Sequence, residues 1–253
     1  METVFIRLCK NGDLIGLKEL LELNPDIDIS AYNEGAFRCA CLYGHLVVAQ
    51  WLLQVCPTIN ISAQNECAFR YACQNGHLEV AQWLLQVSKE KGQDIDISAY
   101  NQEAFRWACY RGYLDLAKWL LQVCPTINIS AKNEEAFRMA SSKGHLHVAQ
   151  WLLQVKPYID ISAVNENAFR GACSEGHLEI AQWLQSIKPY LYVIEYDETG
   201  KYKGYKIRSK EEANWKKRKY LVWLASNNCP EENKCNLLYK LPSDVSRLVI
   251  GFV

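Results

Sequence analysis

Two apolar patterns alternate along most of the chain. The first is short, as in Ala136-Phe137-Arg138-Met139-Ala140, where Phe137 and Ala140 at i and i+3 share one helical face. The second is longer. Leu146, Val148, Ala149, Trp151, Leu152 and Leu153 form a band too wide for one face, which predicts a helix packed on most of its sides. Gly144 lies between the two, where the first helix ends and a left-handed residue is wanted. Lys156-Pro157 stops the second helix, and Tyr158-Ile159-Asp160-Ile161-Ser162 leads back in extended form. The unit reads helix–turn–helix–loop.

This unit recurs. Phenylalanines fall at Phe37, Phe69, Phe105, Phe137 and Phe169, and tryptophans at Trp51, Trp83, Trp119, Trp151 and Trp183, a period of 32 broken once by a spacing of 36. A degenerate first copy precedes them, with Phe5 32 residues before Phe37 and Asn11-Gly12-Asp13-Leu14 matching Tyr43-Gly44-His45-Leu46. Such a period predicts a stacked solenoid in which each unit buries its apolar face against its neighbours. The copies span about 1–30, 31–62, 63–98, 99–130, 131–162 and 163–194. The longer spacing arises around Ser88-Lys89-Glu90-Lys91-Gly92-Gln93, a polar stretch that predicts a lengthened loop, with a dedicated contact as the alternative. Asn133 and its equivalents Asn33, Asn65, Asn101 and Asn165 are expected to cap the first helix. Glu134 and Arg138 at i, i+4 would add ~0.2–0.5 kcal/mol if exposed.

Gly76-His77-Leu78-Glu79-Val80, the Ala-x2–3-Gly-His turn, and the loops Asp26-Ile27-Asp28 and Asp94-Ile95-Asp96 resemble the phrases of ankyrin repeats over about residues 1–194. The resemblance implies a mainly α ankyrin solenoid of about six units that holds a protein on its concave face without catalysis. The family's Thr-Pro-Leu-His is replaced here by x-Ala-Phe-Arg in a turn one residue shorter, so its Thr/His hydrogen-bond network is absent. The variant with Ala-Gln-Trp-Leu-Leu is similar to the arrays of large DNA viruses.

Positions that differ between copies are the candidate contact residues. Before each turn stand Leu42-Tyr43, Gln74-Asn75, Tyr110-Arg111, Ser142-Lys143 and Ser174-Glu175; a second variable column is Tyr32, Gln64, Tyr100, Lys132 and Val164. The resemblance places these on the concave face. Tyrosine and arginine are favoured at interface hot spots, which selects Tyr32, Leu42, Tyr43, Tyr100, Trp107, Tyr110 and Arg111 as partner-binding candidates. The alternative is drift on a solvated face. His45, His77, His145 and His177 follow the turn glycine, but Tyr113 and Asp13 hold the same place. A metal ligand or general base would not tolerate that exchange, so a structural hydrogen bond at the start of the second helix is expected. The tryptophan stripe reads as core. Arg38 and its copies, beside Glu34, Glu66, Gln102, Glu134 and Glu166, read as a mutually neutralised surface.

Composition narrows the function classes. Among 253 residues the net charge is +0, which leaves no global field to draw in nucleic acid or membrane. No apolar run approaches the ~18 residues of a membrane span, and the start of the chain lacks a signal-peptide pattern. There are eleven cysteines. Cys41, Cys73, Cys109 and Cys173 share one repeat position, with Ser141 in the remaining copy; Cys56 and Cys124 share another before proline. Cys229 and Cys235 are spaced C-x5-C, unlike zinc pairs. These read as structural thiols of a soluble, intracellular monomer in a reducing compartment, the host cytoplasm if the chain is viral. No cofactor, metal site or catalytic constellation is expected.

After residue 190 the pattern changes, and 195–253 is expected to form a C-terminal α+β cap. Strands around Leu191–Asp197 and Lys201–Ile207 flank Glu198-Thr199-Gly200, a hairpin signal, and a helix is expected from Glu211 through Trp215, Leu221, Val222, Trp223 and Leu224. Lys201 to Lys219 holds nine basic residues against Glu211 and Glu212, with Tyr202, Tyr205 and Trp215 interleaved. A solvated capping face is the plainer reading; a phosphate or acidic-partner patch is the alternative. Leu241, Pro242, Val245, Leu248, Val249 and Phe252 line one helical face. They resemble the opening helix of an F-box, which implies recruitment of a host ubiquitin ligase through Skp1 by a viral substrate adaptor. A helix closing the apolar end of the solenoid is the other reading.

Overall fold

The computed structural model describes residues 2–226, with side chains to 219. This part of the chain divides into two compact units at His177/Leu178. Helices follow in pairs: α1 (Glu2–Asn11) with α2 (Leu14–Leu23), α3 (Ala31–Leu42) with α4 (Leu46–Val55), α5 (Ala63–Gln74) with α6 (Leu78–Glu90), α7 (Ala99–Arg111) with α8 (Leu114–Val123), α9 (Ala131–Ser142) with α10 (Leu146–Val155), and α11 (Ala163–Ser174) with α12 (Leu178–Ile187). The first helices α1, α3, α5, α7, α9 and α11 lie against one another in that order. Each copy thus completes its core on the next.

The buried columns explain the stacking. Phe5, Phe37, Phe69, Phe105, Phe137 and Phe169 are at most 1% exposed. Small residues stand where helices approach, and Cys9, Cys41, Cys73, Cys109 and Cys173 fill one such column. Burial pushes the Cys9 thiol up to about 12, with Cys39 adding to the shift, and the Cys41, Cys73 and Cys109 thiols higher still. They are therefore inert packing groups. The nine described cysteines are free thiols. Ser141 takes the same buried place, and its hydroxyl has no partner among the described residues.

The tryptophans are less interior than the sequence pattern predicts. Trp51, Trp83, Trp119 and Trp151 are half-buried, and each lies 6.1–6.4 Å from the phenylalanine of the preceding copy. Trp83 and Trp119 also border shallow grooves of about 430 and 400 Å³ between successive second helices. The second helix fully buries a narrower stripe than its composition suggests: Val148, Ala149 and Leu152 in α10.

Two local expectations are corrected. First, the asparagines do not cap by side chain. In five copies the residues Tyr32-Asn33-Glu34, Gln64-Asn65-Glu66, Tyr100-Asn101-Gln102, Lys132-Asn133-Glu134 and Val164-Asn165-Glu166 form a left-handed turn, with φ between 52° and 62°. Asparagine suits the centre of that turn because it tolerates left-handed geometry better than most residues. The loop before it is fastened instead by Asp28, Asn60, Asp96, Asn128 and Asp160, whose side chains accept the N–H of the serine two residues on. Second, the insertion lengthens a helix rather than a loop. α6 has 13 residues where α4 and α8 have 10. Beyond its end, Lys91 Nζ donates to the Pro57 carbonyl at 2.6 Å and Gln93 Oε1 accepts from Ile61 N–H at 2.8 Å. The insertion ties the third copy to the loop of the second.

His45, His77 and His145 make the expected structural bond, and its partner lies in the preceding copy. His45 and His77 Nε2 donate to the carbonyls of Lys10 and Leu42 at 3.0 and 3.1 Å, and His145 bonds to Tyr110 backbone. Burial depresses the imidazole pKa of His77 and of His145, with His147 and His177 adding repulsion at His145. Unfolding raises both towards the ordinary 6.5, so the unfolded chain binds the protons first as pH falls. Stability from these two groups is present above about 6.5 and lost below it. Between pH of about 7.5 and 5.5, the melting temperature should fall more steeply for the parent chain than for His77→Tyr/His145→Tyr. That variant borrows the residue used at Tyr113; equal slopes would contradict the assignment.

In the second unit, β1 (Tyr192–Tyr196) and β2 (Tyr202–Ile207) form the expected antiparallel hairpin. Its turn is closed by Asp197, which accepts from Thr199 and Lys201 N–H, and by Gly200 at φ 81°. Helix α13 (Lys210–Ser226) follows. Tyr192, Ile194 and Ala213 are buried there.

Candidate partner-binding surface

Arginine builds the frame of this surface. Arg38, Arg70, Arg106 and Arg138 each donate Nε to the carbonyl of the asparagine five residues back, at 2.8–2.9 Å. Their Nη2 groups reach the preceding carbonyl, of Tyr32, Gln64, Tyr100 and Lys132 respectively. The fork thus fixes the exposed left-handed turn. The remaining nitrogen crosses to the next copy: Arg38 to Cys67 Sγ at 3.6 Å, Arg70 to Glu103, Arg106 to Glu135, and Arg138 to Asn167 Oδ1 at 3.2 Å. A planar guanidinium can serve both turns and neighbour at once; an ammonium cannot.

The neutralised surface expected from Glu34 and Arg38 is therefore wired differently. The arginines pair between copies, and the carboxylate at the Glu34 position serves a loop. Glu34 is buried and accepts from Asn60 N–H at 3.2 Å; burial raises its carboxyl pKa above the ordinary range. Glu134 accepts instead from Ser130 Oγ at 2.6 Å.

Aromatic rings hang on this frame. The Arg70 guanidinium lies 4.4 Å from the Tyr100 ring centroid and 6.0 Å from that of Tyr71. Asn65 Nδ2 donates to Tyr100 Oη at 2.7 Å. Glu103, held by Arg70, accepts from Trp107 Nε1 at 3.4 Å. Trp107 meets Tyr110 edge-on at 5.0 Å. Arg111 and Lys143 stand 5.8 and 5.9 Å from the Tyr110 ring, and Lys143 reaches Glu175 at 3.5 Å. One line of contacts thus runs through four successive copies. Tyr100 is 52% exposed, Arg111 is exposed, and Trp107 and Tyr110 are half-buried.

The structure joins Tyr100, Trp107, Tyr110 and Arg111 in this way but leaves the other candidates in a separate patch. Tyr32 and Tyr43 are exposed, Lys10 Nζ lies 5.2 Å from the Tyr43 ring, and half-buried Leu42 offers its carbonyl to His77. Leu241, Pro242, Val245, Leu248, Val249 and Phe252 lie outside the described residues. Glu103 is not marked out by the sequence, Arg70 reads there only as part of a neutralised surface, and Lys143 only as one member of a variable column. Their signal is a paired column: the residue after each phenylalanine faces the residue two before the next one, giving Arg38/Cys67, Arg70/Glu103, Arg106/Glu135 and Arg138/Asn167. In the first copy the same column is apolar, and a Cβ on Gly35 would touch Ile6 at 3.3 Å.

The rings and cations of this surface are held in place by contacts within the chain. Among the described residues no group of three or more His, Cys, Asp or Glu could hold a metal ion, and no helix is long and apolar enough to cross a membrane. Helix pairs stacked at a fixed period with a variable polar–aromatic face define a repeat scaffold. The chain belongs to the ankyrin-repeat family: a family model described as ankyrin repeats in three copies matches residues 5–99, 54–133 and 105–192. Comparison with curated proteins gives no match. Ankyrin repeats generally mediate protein–protein interaction, and proteins built from them are typically non-catalytic scaffolds.

Proposed function

We propose that this protein is a non-catalytic adaptor that holds a protein partner on the concave ankyrin face, centred on Tyr100, Trp107, Tyr110 and Arg111. The observation that carries the reading is the contact line from Arg70 to Lys143. Rings and a guanidinium already held by cation–π and edge contacts lose little freedom on binding. The patch around Tyr32, Leu42 and Tyr43 extends the surface towards the N-terminal end. By calorimetry with a captured partner, alanine at Tyr100, Tyr110 or Arg111 should each weaken binding by about 1–3 kcal/mol. Alanine at Ser142 or Ser174 should change it by less than about 0.5 kcal/mol. Changes under that value at all three of the first group would place the interface elsewhere.

The fuller form of the proposal is a viral substrate adaptor, monomeric and working in the reducing host cytoplasm, whose C-terminal helix presents Leu241, Pro242, Val245, Leu248, Val249 and Phe252 to Skp1 of a ubiquitin ligase. Its support is the sequence resemblance of that segment to an F-box helix.

A further inference from the structure

The second unit carries a cationic segment, running from β2 through α13, that the ankyrin surface does not use. Residues 201–219 hold nine lysines and arginines against two glutamates, and Glu212 is already engaged by Lys206 at 3.6 Å and Arg208 at 3.4 Å. Lys201, Lys203, Lys210, Lys216, Arg218 and Lys219 are exposed. Among them Trp215 is 52% exposed. Lys219 Nζ lies 4.2 Å and Lys216 Nζ 5.3 Å from the centroid of its ring. The buried side chains of this unit include Tyr192, Ile194 and Ala213, and a half-exposed indole adds little to such a core.

We propose that this segment binds single-stranded nucleic acid, with phosphates taken by Lys216, Arg218 and Lys219 of α13, and a base stacked on Trp215. Charge alone would suit any polyanion. The indole selects among them. Its π face is electron-rich and repels a carboxylate, whereas a base stacks on it whatever its identity. An anionic bilayer would ask for an inserted apolar edge, and the hairpin tip is Asp197-Glu198-Thr199-Gly200. Lysine ammoniums read phosphate and carry no sequence information, so binding is indifferent to sequence and to the sugar. Because the whole chain has net charge +0, the attraction is local and fades quickly with salt.

The test is fluorescence anisotropy of the full chain with labelled oligo(dT) and oligo(U) of about 20 nucleotides, at about 50, 100 and 200 mM salt. Both probes should bind with similar affinity. Trp215→Ala should weaken binding about ten-fold without changing the salt slope, because stacking is not ionic. Lys219→Gln should reduce that slope by about 0.7. Both positions are exposed, and an unchanged melting temperature would confirm that each variant folds. The proposal is overturned by an absence of binding at the lowest salt or by unchanged affinity in Trp215→Ala. Tighter binding of a duplex of equal length, or better competition by a polyglutamate peptide or phosphatidylserine vesicles than by unlabelled oligo(dT), would also overturn it.

Discussion

Phe105→Ala should destabilise the array by about 3–5 kcal/mol. The ring is 1% exposed and meets Trp151 of the next copy at 6.3 Å. Its neighbours Ala104, Ala108 and Cys109 are buried and small, so none can swing in to fill the space, and the cavity remains. In a stack held by nearest-neighbour interfaces, damage in a central copy also uncouples the copies on either side. Chemical denaturation should show a much lower midpoint. Trp119→Ala should cost less, because that indole is half-buried beside an open groove. A loss under about 1 kcal/mol for Phe105→Ala would mean that the phenylalanine column is not the core.

Gly112→Ala should be nearly as damaging although it adds a single carbon. Gly112 has φ 80°, and a Cβ there would lie 2.5 Å from His145 Nδ1 of the next copy. Left-handed backbone costs an alanine about 1–2 kcal/mol, and forcing the imidazole aside adds about 1–3 kcal/mol. Gly92→Ala separates the two contributions, since Gly92 has φ 64° and nothing within 4 Å of its Cβ position. It should show the backbone cost alone. Equal losses in the two variants, measured by denaturation, would remove the turn–histidine contact from the account.

Much of this architecture was legible because repetition multiplies weak signals. One Ala-Phe-Arg phrase says little; its return at a fixed spacing identifies the columns that face inward, and Phe37 to Phe169 prove buried as read. The hairpin was legible from Gly200 and its flanking strands. Three features were not. The left-handed turn was hidden because asparagine suits both a helix cap and positive φ, and only geometry separates them. The arginine pairs were hidden because their partners, such as Glu103 for Arg70, lie in the next copy rather than at i, i+4. The added residues of the third copy read as loop because they are polar, yet Ser88, Lys89 and Glu90 extend α6, with Ser88 buried. At the candidate surface, Tyr100 and Arg111 were readable as variation between copies. Their link through Arg70 and Glu103 is a property of stacking and needs coordinates.

The measurement that bears most directly on the central claim is a quantitative capture experiment with three forms of the chain: the parent, Tyr100→Ala/Tyr110→Ala/Arg111→Ala, and a version ending at Lys240. All three should be matched first by melting curve. The proposed function predicts that a protein captured stoichiometrically by the parent is lost from the triple variant and kept by the shortened chain, which loses only ligase components. If the triple variant, fully folded, holds the same protein with the same affinity as the parent, the line from Tyr100 to Arg111 is not the binding surface.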